Sequence, residues 1–171
     1  MNITLIGMPG VGKSTIGKMM ADKMDYGYLD SDIIIQSRTG YRLQELIELK
    51  GEEFFLKVEQ EAIISLSDIE NTVICPGGSI VYSKPAMLFL RRISKLVFLE
   101  LPLSELKRRV SDFENRGVVG LKKNSLEELY KERLLLYAEY ADVRVKLDPA
   151  WRIEQNCDKI IKRVTDKVED E

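Results

Sequence analysis

Apolar residues along this chain fall into two alternating rhythms. Short apolar runs at Ile3 to Ile6, Asn71 to Cys75, Lys95 to Leu101 and Val143 to Leu147, with a shorter one near Tyr26 to Leu29, have the length of buried strands. Between them, residues 13–25, 31–38, 43–67 with a break near Gly51, 84–93, 103–112, 125–140 and 152–168 place apolar side chains at i, i+3, i+4 spacing, which predicts helices. The last is the plainest: Ile153, Cys157, Ile160, Ile161, Val164 and Val168 share one face. Strands that alternate with helices need crossover connections, so the pattern predicts an α/β fold with a mostly parallel sheet covered on both faces. Ligands of such sheets bind beyond the carboxyl ends of the strands.

The totals narrow what this fold serves. With 171 residues, 44% of them hydrophobic, and no Gly/Ser/Pro-rich linker, the chain is expected to form a single domain, residues 1–171. A net charge of -2, with basic residues scattered among acidic ones, gives no electrostatic case for nucleic acid. No run approaches membrane-spanning length and no signal peptide opens the chain, so a cytoplasmic enzyme with small-molecule partners, working as a monomer, is expected. Cys75 and Cys157 lack metal-ligand spacing and read as core thiols. Histidine is absent, so chemistry must rest on carboxylates, Lys, Arg and the backbone.

The segment Gly7-Met8-Pro9-Gly10-Val11-Gly12-Lys13-Ser14-Thr15 follows the first strand and opens a helix bearing Ile16, Met19, Met20 and Met24. Strand, glycine loop and helix in that order make a phosphate-binding loop. Its glycines let successive N–H groups face one concavity, and the helix N-terminus adds a partial positive charge. Gly10 to Thr15 are the ATP-binding candidates, with Lys13 directed at the β- and γ-phosphates and Ser14 at Mg²⁺.

Asp30 and Asp32 flank Ser31 after the short second strand. One carboxylate is suited to holding Mg²⁺ through water, and the other to orienting a substrate hydroxyl for attack. Alternatively, one of them caps the helix that begins near Ile33. Asp30 is the favoured metal carboxylate, with Glu100, at the end of an apolar run, as its competitor.

Arg133 lies within the apolar stripe Leu126, Leu129, Tyr130, Leu136, Tyr137, Tyr140 of its helix. An inward guanidinium requires a partner, either an anionic substrate or an internal carboxylate. Pro76-Gly77-Gly78-Ser79 ends a strand, where two glycines allow close backbone approach to a ligand or simply form a turn. Arg109 and Arg116 flank the start of Phe113 to Asn124, a polar, glycine-containing segment expected to be a mobile lid. Arg109 is suited to stacking on adenine and Arg116 to clamping the transferring phosphoryl group, and a solvated helix end would account for either one.

Together these residues resemble the shikimate kinase family nearly end to end: the loop Gly7 to Thr15, Asp30-Ser31-Asp32, Gly51-Glu52 with Phe55 and Glu59, Gly77-Gly78, the Arg116 segment, and Arg133 with Tyr137, Ala141 and Asp142. The resemblance implies a three-layer α/β/α phosphate-loop fold with a five-stranded parallel sheet, ATP and Mg²⁺ as cosubstrates, and phosphoryl transfer to a ring hydroxyl of shikimate in aromatic amino acid biosynthesis. It further implies that Lys13 and Arg116 stabilise the moving phosphoryl group, Asp32 holds the accepting hydroxyl, Gly77, Gly78 and Arg133 bind the acceptor, and Arg109 stacks on adenine. Three departures stand out. The family's Phe-Arg is Phe55-Leu56, its third glycine is Ser79, and its Arg-Pro-Leu-Leu is Arg116-Gly117-Val118-Val119. Lys57 projects about 100° from Leu56 on a helix. Two other functions share parts of this pattern: a nucleoside monophosphate kinase, which also uses Gly-x-Pro-Gly-x-Gly-Lys, and a nucleotide-dependent regulatory protein without transfer activity.

Overall fold

A computed structural model describes residues 1–109 and 118–166. In chain order the elements are β1 Asn2–Ile6, α1 Lys13–Met24, β2 Gly27–Asp30, α2 Ser31–Thr39, α3 Leu43–Lys50, α4 Glu52–Ile64, β3 Thr72–Cys75, a 3₁₀ turn Gly78–Tyr82, α5 Lys84–Ile93, β4 Ser94–Glu100, α6 Leu103–Arg109, α7 Leu126–Tyr140, β5 Val143–Lys146 and α8 Ile153–Thr165. The strands form one sheet in the order β2-β3-β1-β4-β5. Every pairing is parallel, with Ile3 opposite Val73, Leu5 opposite Val97, Leu29 opposite Ile74 and Leu99 opposite Val145.

This order fixes which helices share a face. From β1 the chain moves outward to β2, then returns through β3, β4 and β5 in the opposite direction. Right-handed crossovers therefore put α1 on one face and α4, α5 and α7 on the other. α8 packs with α1, which completes the first layer. β1 and β3 are neighbours whose following helices leave to opposite faces, and a crevice opens at their carboxyl ends. The three-layer α/β/α arrangement with five parallel strands is the one expected.

Burial follows the periodicities. Ile3, Leu5, Val73, Ile74, Leu96 and Val97 are fully enclosed between the helical layers, and a smaller cluster of Ile35, Leu46, Ile47, Phe55, Ala62 and Val119 joins α2, α3 and α4. Gly51, at φ +85°, separates α3 from α4 and accounts for the expected break. Ser83 caps α5, its hydroxyl accepting from the Ala86 amide at 3.2 Å. Ser125 and Glu128 form a reciprocal capping box that starts α7. Both Cys75 and Cys157 are buried free thiols, and burial pushes their pKa values up to about 12 and about 11.

Differences from the sequence expectations are local. β2 extends to Asp30, which places that carboxylate at the strand end, and the 3₁₀ turn after Gly77 has no periodic signature. Residues 110–117, which hold the end of the helix expected over 103–112 and the first part of the expected lid, lie outside the described residues. The rest of that segment is docked rather than loose: Val119 is buried, and the Gly120 amide donates to Glu52 Oε1 at 2.7 Å. Among the described residues no helix is long and apolar enough to cross a membrane.

Candidate active site

The crevice between β1 and β3 is bounded by two loops. After β1, Gly10 and Gly12 take φ of +84° and +105°, values that side chains with a Cβ rarely adopt, while buried Val11 anchors the turn between them. α1 then begins at Lys13, whose half-buried ammonium donates to the carbonyls of Gly7 at 2.8 Å and Met8 at 3.2 Å. Burial pulls its pKa below the ordinary lysine value, with the charge of Asp32 the main opposing influence. Ser14 and Thr15 are exposed at the mouth.

Asp30 caps α2 and also anchors the glycine loop. Its Oδ1 accepts from the Asp32 amide at 3.0 Å and so caps α2. Its Oδ2 accepts from the Ser14 hydroxyl and from the Tyr28 phenol, each at 3.0 Å, which ties β2 to the glycine loop. Asp32 lies in the first turn of α2, and its buried Oδ1 has no hydrogen-bond partner among the described residues. Burial pushes its pKa up to about 6, Asp30 adds to the rise, and Lys13 opposes it.

After β3 the chain passes against two acidic side chains. A Cβ on Gly77 would stand 2.3 Å from Glu59 Oε1 and 3.3 Å from Asp32 Oδ1, so only glycine fits between them. Its amide donates to Ser31 Oγ at 3.1 Å. Glu59 is fully buried on α4, and its Oε2 accepts from the Ser79 hydroxyl at 2.7 Å. Ser79, one of the departures in sequence, thus has a defined partner.

Arg133 is 1% exposed, as its place in the α7 stripe requires. Among the described residues it forms no salt bridge with an internal carboxylate, one of the two partners expected. Nε donates to the Tyr82 hydroxyl at 3.2 Å and Nη2 to the Val119 carbonyl at 2.7 Å, while its guanidinium lies over the Tyr82 ring. Nη1 lies 3.2 Å from the point where a Cβ on Gly78 would stand, and the Tyr137 hydroxyl is a further polar neighbour of the guanidinium. Tyr137, one turn on, donates to the Gly78 carbonyl at 2.6 Å and holds that loop in place.

These groups line one cavity of about 380 Å³: Gly10, Gly12, Lys13, Ser14 and Thr15 on one side, Asp32, Gly77, Gly78, Ser79 and Arg133 on the other, with Asp30 between. Phe55, Leu43, Val118 and Val119 supply its apolar wall. Arg109 lines it too, donates to the Val11 carbonyl at 3.3 Å, and also borders a second cavity of about 140 Å³ with Trp151 and Asn156.

Some expected residues stand elsewhere. Glu100, the competing metal carboxylate, is occupied by Arg144, whose Nε donates to it at 2.7 Å. Leu56 packs against the smaller apolar cluster, and Lys57 is exposed. Arg116 lies outside the described residues. Sequence reasoning gave no separate role to Tyr28, Glu59, Tyr82 or the Tyr137 hydroxyl. Glu59 carried a usable signal, since it shares the buried face of α4 with Phe55, Ala62 and Ile63 just as Arg133 shares the stripe of α7.

Known proteins are similar to this chain in sequence and in structure. The family profile described as shikimate kinase matches residues 9–166. The shikimate kinase of Haemophilus influenzae is 32% identical over 171 residues, spanning 98% of this chain and 92% of its own length. Among solved structures, shikimate kinase from Acinetobacter baumannii in complex with shikimate gives a TM-score of 0.85 at 26% identity, covering 95% of this chain and 92% of that one. Shikimate kinase from Aquifex aeolicus gives 0.82 at 30% identity, with 96% of each chain covered. The profile spans nearly the whole chain and the relative is matched over almost its full length, and on that footing this chain belongs to the shikimate kinase family.

Proposed function

We propose that this protein transfers the γ-phosphoryl group of ATP to a ring hydroxyl of shikimate, giving shikimate 3-phosphate and ADP, as a cytoplasmic monomer. One observation carries this: a single cavity joins the phosphate loop to Asp32 and to the buried guanidinium of Arg133. A donor triphosphate and an anionic hydroxy acid can therefore meet in it with reacting oxygens adjacent. The Acinetobacter baumannii relative was solved in complex with shikimate, the acceptor that such a site suits.

In this scheme the loop amides and the N-terminus of α1 hold the phosphates. Lys13 exchanges its two neutral carbonyl partners for phosphate oxygens, a stronger charge-assisted pairing. Asp32 accepts a hydrogen bond from the attacking hydroxyl, and Arg133 Nη1 binds the acceptor's carboxylate beside Gly77 and Gly78. Arg116 adds charge neutralisation, and Arg109 with Trp151 flanks the base in the smaller cavity. The Ser14 hydroxyl and Asp30 carboxylate, 3.0 Å apart, are hard oxygen donors that fit Mg²⁺, an ion that keeps most of its shell for water and phosphate. Bound there, Mg²⁺ supplies neutralisation of the phosphate charge.

Leu56 favours a second acceptor, a different small hydroxy acid or polyol, because it removes one cation from the acceptor side. ADP release measured over shikimate, gluconate, homoserine, cyclitols and nucleoside monophosphates decides between them. Shikimate is expected to give the highest kcat/KM. Turnover confined to nucleoside monophosphates, or ATP binding without turnover of any acceptor, would overturn the proposal.

A further inference from the structure

Glu59 is the buried acid that the transfer scheme does not use. It is fully enclosed, with one oxygen held by Ser79 and the other, Oε1, lacking any hydrogen-bond partner among the described residues. Five groups face it from the surrounding elements: Asp32 from α2, Ser79 after β3, Arg133 and Tyr137 from α7, and Lys13 from α1. Neither cation hydrogen-bonds Glu59. Lys13 donates to Gly7 and Met8, and Arg133 to Tyr82 and Val119. Leu56, one turn earlier on the same helical face, is where a longer basic side chain would reach the carboxyl, and it supplies only methyl groups. A buried carboxylate with one hydroxyl donor and a second carboxylate across Gly77 is costly, and taking up a proton removes that cost.

We propose that Glu59 works as a neutral carboxylic acid, a positioning residue that leaves the charge of Arg133 uncompensated for an anionic acceptor, and that the Ser79 hydroxyl replaces a cation as its partner. Burial drives the pKa of Glu59 up to about 7, against the Ser79 hydrogen bond and with help from Asp32. Above that pH its ionisation places a negative charge beside the acceptor site and weakens acceptor binding.

The role in binding rests on the hydroxy-acid function proposed above; the protonation does not. Carboxyl-carbon NMR on the ligand-free full chain is expected to show one glutamate titrating near neutrality and missing from Glu59→Gln. Titration of Glu59 at its ordinary value of 4.5 would overturn the proposal. In kinetics, shikimate KM is expected to rise about tenfold between about pH 6 and about pH 8.5, and to stay at its low value throughout in Glu59→Gln. A Glu59→Gln enzyme with raised KM at about pH 6 would show that the anion is needed and defeat the idea. Should that variant not fold, Ser79→Ala is expected to move the midpoint upward, and an unmoved or lowered midpoint counts against it. A neutral midpoint with no shikimate turnover at any pH supports the protonation and rejects the acceptor.

Discussion

Arg133 donates an N–H to the Val119 carbonyl at 2.7 Å, so the buried face of α7 is fastened to the segment that closes the cavity's apolar wall. The same guanidinium donates through Nε to the Tyr82 hydroxyl at 3.2 Å.

Arg133→Ala is therefore expected to act on both binding and folding. Loss of a charge-assisted bond to the acceptor costs about 1.5–3 kcal/mol, a rise in acceptor KM of roughly tenfold to more than hundredfold. The KM for ATP should stay close to that of the parent. The Val119 carbonyl and Tyr82 hydroxyl lose their partner, which lowers stability by about 1–3 kcal/mol in urea unfolding. An unchanged acceptor KM would reduce Arg133 to a structural role.

Lys13→Ala should abolish turnover in a protein that remains folded, because the hydrogen bonds of the ammonium within the protein go only to two carbonyls of the glycine loop. Circular dichroism checks the fold and ADP release checks the turnover. Near-normal rates would contradict the assignment of Lys13 to the phosphates.

Asp32 must be ionised to accept a hydrogen bond from the attacking hydroxyl. With its pKa raised to about 6, the charged form is lost as pH falls through that value, so kcat is expected to drop on the acid side with a midpoint near it. Asp32→Asn should remove that limb and lower the rate by about 10²–10⁴-fold. An acid limb that survives in the variant would assign it to another group.

Trp151 is the sole tryptophan and borders the smaller cavity with Arg109. Its fluorescence is expected to change on addition of ADP, with saturation, and to respond weakly in Arg109→Ala, whose ATP KM should rise. No response to nucleotide in the parent protein would place the base elsewhere.

Glu59 also gives stability a pH dependence of fixed sign. Its ordinary pKa is 4.5 and its folded value about 7, so between these limits the folded protein retains a proton that the unfolded chain has released. Its contribution to stability falls as pH rises through that window, by up to about 3 kcal/mol above it. Urea unfolding at about pH 5 and about pH 8 should therefore show a smaller difference for Glu59→Gln than for the parent, and equal differences would refute the assigned shift.

The sheet and most helices were legible because each buried element carries its own period: β1 and β3 as apolar runs, α8 as a single stripe. Lys13 and Ser14 were legible because the glycine loop fixes its neighbours by spacing, and the two aspartates because they follow the second strand at the sheet edge that faces the loop. Arg133 was visible as a charge out of phase with its helix. Glu59 obeys the same rule on α4, yet its neighbours Leu56 and Phe55 make a continuous apolar patch in which one acid is easily assigned to the outer face. The contacts of Ser79 with Glu59 and of Tyr137 with Gly78 join residues 20 and 59 positions apart, and no local pattern encodes them. Asp30 showed that capping and loop anchoring are compatible, since its two oxygens serve one each.

Because β1 and β3 lie side by side while their helices depart to opposite faces, the two walls of the crevice are written in separate stretches of chain. Pro9, Gly10 and residues 12–15 with Arg109 form one wall, proposed for the phosphate donor, and residues of α2, α4, the turn after β3 and α7 form the other, proposed for the acceptor. Exchanges at positions 56 and 79 consequently leave the triphosphate grip untouched, so this architecture lets acceptor preference drift by one or two substitutions at a time without rebuilding the transfer apparatus.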